Sequence, residues 1–383
     1  YLARAGLSVV LLERREVVGG TAVTEEFHPG FRNSTASYTV SLLHPKIQAD
    51  LRLAEHGLKV VERPLQNYLV EAPGHGLPLG PTLADTARAL AARGSADADR
   101  LDPFHAHVDQ AVELLRSQLL RTPPTDLSRW RDLWQAIAAG RAFRALSIPA
   151  QRAVLELFTR SAGDILDGWF EDPGLKAAYG FDSIVGSYAS PYTPGSGYVL
   201  LHHAFGETNG KPGRWGHAIG GMGSITQAMA REVERLGGRI ELGAPVRRVV
   251  VERSQARGVE LEDGRVVRAR HIVANVNPRF LYLRLLADTD VPESLRTALR
   301  NYRCGSATFR MNVALSELPD FSGRGGGEEL LHRSGILISP SLGYMDRARH
   351  GRCRLPAIRN ALRDPAVKVP NAPTGCARSW VRI

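Results

Sequence analysis

Cysteine is almost missing from this chain: three occur in 383 residues, at positions 304, 353 and 376. Gaps of that length exclude a disulfide framework, a zinc site on C-x2-C spacing and a C-x4-C redox dithiol, and they make a reducing compartment the default. Lysine is also scarce, with five positions (46, 59, 176, 211, 368), so the basic side of the charge balance is almost all arginine. Long apolar runs are lacking. The longest purely aliphatic stretch, Val9-Val10-Leu11-Leu12, is far below the roughly 18 residues that span a bilayer, so any membrane contact is expected to be peripheral. No G-x-S-x-G, H-E-x-x-H or P-loop is present, which removes the usual signals of hydrolysis and phosphoryl transfer.

What is present is an ordinary globular composition, 43% hydrophobic and 23% charged, and the length predicts about two domains. The formal net charge is +10. No Lys/Arg-rich cluster occurs, and doublets such as Arg14-Arg15 and Arg247-Arg248 stand among acids, so a solvated surface is expected and no nucleic-acid partner. Residues 351–383 carry seven basic residues and one acid, leaving the first 350 residues at only +4. This segment reads as an atypical basic tail, with a truncated or frame-shifted end as its expected origin.

The chain opens on Tyr1 without a basic n-region or apolar h-region, so no secretory signal is read there, and it is expected to be a piece of a longer chain. Tyr1 to Gly6 reads as the last turns of a helix closed by glycine. Leu7 to Leu12 reads as a buried strand ending in Glu13. An acid at the tip of the second strand of a βαβ unit is where dinucleotide-binding folds hold the adenosine ribose, although such an acid also occurs on ligand-free surfaces. The glycine-rich phosphate loop belongs about 20 residues before that acid, and only 12 residues precede Glu13. On that reading the chain as it stands binds its nucleotide poorly. Gly19 and Gly20, shortly after the acid, let the backbone pass close to a ligand.

These residues, Glu13 to Thr24 with Gly19-Gly20, resemble the flavin-binding amine oxidase and phytoene desaturase superfamily. Glu25 to Phe31 and Ser34 to Tyr38 resemble its phytoene desaturase-like, carotenoid/retinoid oxidoreductase branch. A second block supports the likeness: Gly220-Gly221-Met222-Gly223, a helix through Leu236, Gly237-Gly238, strands at Arg239 to Leu242 and Val246 to Val251, a hairpin over Gly258 to Val266 with an Asp263-Gly264 turn, and a buried strand from Ala269 to Asn275. The resemblance runs to about His350.

Between the blocks the texture is helical. Leu101 to Leu120, with Phe104, Val108, Val112, Leu115 and Leu119 at spacings of three and four, predicts an amphipathic helix. Ala150 to Leu166 predicts another, and Asp172-Pro173 predicts the capped start of a third. Ser187 to Gly197, with Tyr188 and Tyr192, leading to His202, His203 and Trp215, is either a pocket loop or an aromatic-covered surface loop. Helices at Leu281 to Leu286 and Pro292 to Tyr302 and a strand at Ala307 to Ala314 complete the pattern.

The resemblance implies an α/β fold: a discontinuous Rossmann-like FAD-binding domain over residues 1–66 and 217–279, with an inserted α+β substrate domain over 67–216 and 280–350 and the basic tail at 351–383. It implies FAD as cofactor and a small apolar or amine-like substrate whose hydride passes to the flavin. In that family pattern Glu13 binds the adenosine ribose, Arg15 lies near the phosphates or ribose, Gly19 and Gly20 pass close to the diphosphate, and Val246 places its backbone against the adenine. No catalytic residue and no metal site is read. Two other classes stay open: a flavin-binding regulatory protein without turnover, and a SAM-dependent methyltransferase, whose Rossmann domain also ends its second strand in an acid. The expected location is the cytoplasm, or the mitochondrial matrix in a eukaryote.

Overall fold

A computed structural model of the chain describes residues 1–72, 75–287, 290–304, 310–319, 321 and 328–349. Two compact units divide the chain, one made of residues 1–38, 46–59 and 218–305 and the other of 39–45, 60–217 and 306–383. The tail at 351–383 and residues 307–309 of the expected strand lie outside the described residues, and 310–314 form no strand.

The first unit is α/β. Its chain enters through a hydrogen-bonded turn at the start, in which Leu7 N donates to the Leu2 carbonyl at 3.2 Å and Gly6 takes φ 80°. The strand Val10–Leu12 then pairs in parallel with Arg239–Glu241, Val10 opposite Arg239 and Leu12 opposite Glu241. The helix Gly223–Arg235 leads into that second strand through Gly237 and Gly238; a Cβ on Gly238 would lie 2.6 Å from Val233 Cγ1, so helix and strand close tightly there. Val246–Glu252, Gln255–Leu261 and Val266–Arg268 follow as a three-stranded antiparallel sheet. The expected Asp263-Gly264 turn is present, with Gly264 at φ 86°. The preceding turn uses Arg253 and Ser254, both at positive φ without a glycine, which is why no turn signal marked it. Ala244, Val249, Val259, Leu261 and Leu285 form the core under this sheet, joined by Leu12 and Val246.

Two expectations of burial fail here for one reason. Val10 and Leu11, read as buried, are 37% and 39% exposed, because among the described residues their strand has a neighbour on one edge only. Ala269 to Asn275 forms no strand, and Val273 is 76% exposed. An apolar run becomes a buried strand only when a partner takes its hydrogen bonds and a layer covers its face.

The second unit is mostly helical around a sheet in which Asn67–Ala72 is flanked by His75–Leu79 and, in parallel, by Gly335–Leu337. The helix Leu101–Gln118 buries Phe104, Val108 and Val112 as its periodicity requires. The predicted Ala150–Leu166 helix is two helices, Ile148–Thr159 and Ala162–Trp169, because Ser161 Oγ accepts from Asp164 N at 3.0 Å and starts a new one. Asp172 caps Pro173–Asp182 as expected, accepting from Leu175 N at 2.9 Å. Phe104 sits at the centre, 4.9 Å from Phe170, 5.6 Å from Trp169 and 5.8 Å from Tyr179 between ring centroids.

Glu232 ties the Gly223–Arg235 helix to the segment after the Pro45–Asp50 helix. It is buried. Arg235 donates to its two carboxylate oxygens at 2.7 and 2.8 Å, and His56 Nε2 lies 2.7 Å from Oε2. Arg235 is the main cause that lowers its pKa to about 2; burial opposes this and His56 adds to it.

Two predictions follow from these packings. Phe104→Ala should destabilise the second unit by about 4 kcal/mol in denaturant melts, the range for an aromatic lost from a closed core; a change within experimental error would contradict the packing described. Glu232 is ionised more easily folded than unfolded, so its stabilisation is complete above its unfolded pKa and is lost as the pH falls through the acid range towards about 2. Glu232→Gln should therefore cost about 2 kcal/mol at neutral pH and flatten the acid limb of the stability curve. Parallel curves for the two proteins would refute the pairing.

Candidate functional site

The five residues singled out in the sequence all belong to the first unit, around the C-terminal ends of its parallel strands, where open α/β sheets place their ligands. Glu13 follows Val10–Leu12 directly. Its N–H donates to the Glu241 carbonyl and its own carbonyl accepts from Ala244 N, both at 2.9 Å, so its backbone is fixed to the opposite segment. Its side chain turns back, and Oε1 accepts from Arg15 N at 2.9 Å. The carboxylate is half-buried, with Oε2 given no partner among the described residues.

Arg15 is held at both ends. Its carbonyl accepts from Gly243 N at 3.1 Å, and its guanidinium donates to Glu25 on the Thr24–His28 strand. The Glu25 partner was not foreseen; it comes from the register of the Thr24–His28 and Phe31–Ser34 hairpin, which no local pattern encodes.

Gly19 and Gly20 behave differently. Gly19 has φ 132° and ψ −13°, and a Cβ there would lie 2.7 Å from Thr226 Oγ1 on the Gly223–Arg235 helix. The fold itself demands glycine at that position. Gly20, at φ 54°, has no protein atom within 4 Å of the place a Cβ would occupy, and it is exposed. The backbone at Gly20 is open to a ligand.

Val246 joins the group through the 243–246 segment, whose Gly243 and Ala244 amides bond Arg15 and Glu13. It begins the Val246–Glu252 strand, and its side chain packs on the same core as Leu12.

The start of the Gly223–Arg235 helix is closed to ligands. Met222 N donates to Ser34 Oγ and Gly223 N to Thr24 Oγ1, each at 2.9 Å, while Ser224 N and Ile225 N bond within the turn. Gly220 and Gly221, at φ 83° and 80°, make the entry geometry of this helix. Thr24 and Ser34, quoted in the sequence only within longer resembling blocks, are therefore structural neighbours of the site; a hydroxyl in a short strand carries no signal of its distant partner.

The aromatic loop lies in the second unit. Tyr188 is exposed beneath the Arg349 guanidinium, 3.9 Å from ring centroid to Cζ. Tyr192 donates to Asp167 at 2.9 Å, and loss of solvation followed by that carboxylate pushes its phenol up to about 12. Arg63 lies 5.5 Å from the Trp215 ring centroid. Among the described residues no group of three His, Cys, Asp or Glu has the arrangement of a metal site.

Residues 1–309 match the family described as flavin containing amine oxidoreductase. The chain is 34% identical over 338 residues to "pyridine nucleotide-disulfide oxidoreductase domain-containing protein 2" of Rattus norvegicus, covering 84% of this chain and 58% of that protein. It is 31% identical over 294 residues to hydroxyneurosporene desaturase of Cereibacter sphaeroides, covering 75% and 55% respectively. Among solved structures, an oxidoreductase from Methanosarcina mazei is similar at 14% identity and a TM-score of 0.46, over 78% of this chain and 60% of that one. The chain spans a little over half the length of these curated relatives.

The two glycines give separable expectations. Gly19→Ala should cost about 3 kcal/mol, from a backbone region closed to L side chains and from the Thr226 contact. Adding Thr226→Ala should restore only part of it. Gly20→Ala should cost only about 1 kcal/mol, the penalty of a left-handed conformation in open space. Equal losses at the two positions, measured by denaturant melts, would contradict this geometry.

Proposed function

The chain belongs to the flavin containing amine oxidoreductase family, and on that premise we propose that it serves an FAD-dependent oxidoreductase that takes hydride from an apolar or amine-like substrate. The observation that supports this reading is a half-free carboxylate, Glu13, at the C-terminal end of a parallel strand pair, followed in the chain by an open positive-φ backbone at Gly20.

The donor set fits the adenosine half of FAD. A carboxylate with one oxygen fixed by a backbone amide presents its other oxygen to the hydroxyls of a ribose, as in other dinucleotide folds. Arg15 supplies guanidinium donors near the ribose or phosphates, with Glu25 holding its orientation. Gly20 leaves room for close backbone approach and Gly19 fixes the turn that presents it, and the backbone of Val246, at the start of its strand, would lie against the adenine. Bound flavin supplies the redox chemistry and accepts the hydride. The protein's task is to bind, orient and exclude water, so no acid–base pair has to be found among its residues. The family membership favours this reading over methyl transfer.

The absorption spectrum of the protein expressed from its whole coding region tests the cofactor. Flavin's visible bands should copurify, and anaerobic addition of an amine or polyene substrate should bleach them. Copurified flavin that no such substrate reduces would point to a flavin-binding regulator. Glu13→Gln should weaken FAD binding by about 10- to 100-fold, the worth of a hydrogen bond to a charged acceptor. Gly20→Ala should weaken it by more than its small stability cost explains. Unchanged flavin affinity in both variants would remove the site from this position.

A further inference from the structure

The second unit carries a helix that its own core scarcely uses. In Trp130–Arg144 no residue is buried; Phe143, near its end, and Leu146, just beyond it, pack against the core. At 3.6 residues per turn, Trp130, Leu133, Trp134, Ile137, Arg141 and Arg144 fall on one face. All six are exposed, Trp130 by 68% and Trp134 by 57%. The Arg131 guanidinium sits 5.7 Å from the Trp130 ring centroid. The next helix, Ile148–Thr159, also leaves Ile148, Leu155 and Phe158 exposed on the side that carries Arg152.

The charge around these apolar groups has one sign to spare. Residues 121–152 contain six arginines and two aspartates. Both aspartates are occupied: Asp132 Oδ2 accepts from Thr125 N at 3.0 Å and Asp126 N at 2.8 Å, and Asp126 meets Arg129 Nε at 3.2 Å. Arg121, Arg131, Arg141, Arg144 and Arg152 have no carboxylate partner among the described residues.

We propose that the Trp130–Arg144 helix docks this chain on an anionic lipid surface, lying in the plane of the headgroups with both indoles inserted and its arginines on lipid phosphates. Tryptophan favours that boundary because its ring is apolar while its N–H keeps a polar contact. An exposed apolar stripe bordered by unpaired arginines matches a helix that lies on a membrane. A second copy of the chain fits less well, since a two-fold contact on this face sets the arginines of one copy against the same arginines of the other. No helix among the described residues is long and apolar enough to cross a bilayer, so insertion is shallow. The proposal is independent of the flavin reading.

Flotation of the protein expressed from its whole coding region, with phosphatidylcholine vesicles with or without phosphatidylglycerol, tests it. Binding should require phosphatidylglycerol and weaken as salt shortens the Debye length. Arg141→Glu with Arg144→Glu should lower partitioning by roughly thirtyfold or more. Trp130→Ala with Trp134→Ala should lower it by roughly tenfold. Thermal midpoints of both variants should match the parent's, since these side chains are exposed. Equal binding to neutral vesicles, no binding, or variants that bind like the parent would overturn the proposal. A concentration-dependent dimer abolished by the tryptophan variant would assign the face to a second copy. Tryptophans already shielded from a soluble quencher without vesicles would assign it to the protein's own chain.

Discussion

The pairing of Val10–Leu12 with Arg239–Glu241 is the constraint on which the rest of the first unit depends, because it joins segments more than two hundred residues apart in the chain. Once that register is set, Glu13 falls opposite the 241–244 turn, and three backbone bonds, Glu13 to Glu241, Ala244 to Glu13 and Gly243 to Arg15, lock it. Glu13, Arg15 and the segment leading into the Val246–Glu252 strand then share one end of the sheet as a consequence of backbone pairing. Leu12 and Val246 packing on one core adds the apolar part of the same join.

The Gly223–Arg235 helix fixes the turn from the other side. Its first amides are taken by Thr24 and Ser34, its Thr226 fills the space beside Gly19, and its Glu232 and Arg231 hold the His56 segment. A helix N-terminus near a proposed diphosphate invites an anion-binding reading. Here those donors are spent on the protein, so in the proposed site the phosphates are left to Arg15 and to the backbone around Gly20.

What could be read from sequence was what neighbouring residues decide. The Asp172-Pro173 start, the Phe104, Val108 and Val112 stripe, and the order of helix, glycine pair and strand from 223 to 241 are local, and the structure has them. The break at Ser161 was local too, but the apolar spacing on both sides of it ran on through the cap. Ala269 to Asn275 shows the opposite limit: its composition favours a buried strand, yet only a neighbour can make it one. At the site, Glu13 and the two glycines were legible as residue types at a spacing. Glu25, Thr24, Ser34 and Thr226 were not, because they are selected by tertiary register. The helix at Trp130–Arg144 was not legible as a surface, since two tryptophans suit a core as well as a surface until their exposure is known.

The central claim is that this end of the parallel strand pair receives the adenosine half of FAD. Hydrogen–deuterium exchange of the protein from its whole coding region, with and without FAD, tests it most directly. FAD should slow exchange at the amides of residues 13–20 and of Gly243, Ala244 and Val246 together, as two segments closing on one ligand. Protection confined to the second unit, or none in these two segments, would contradict the account.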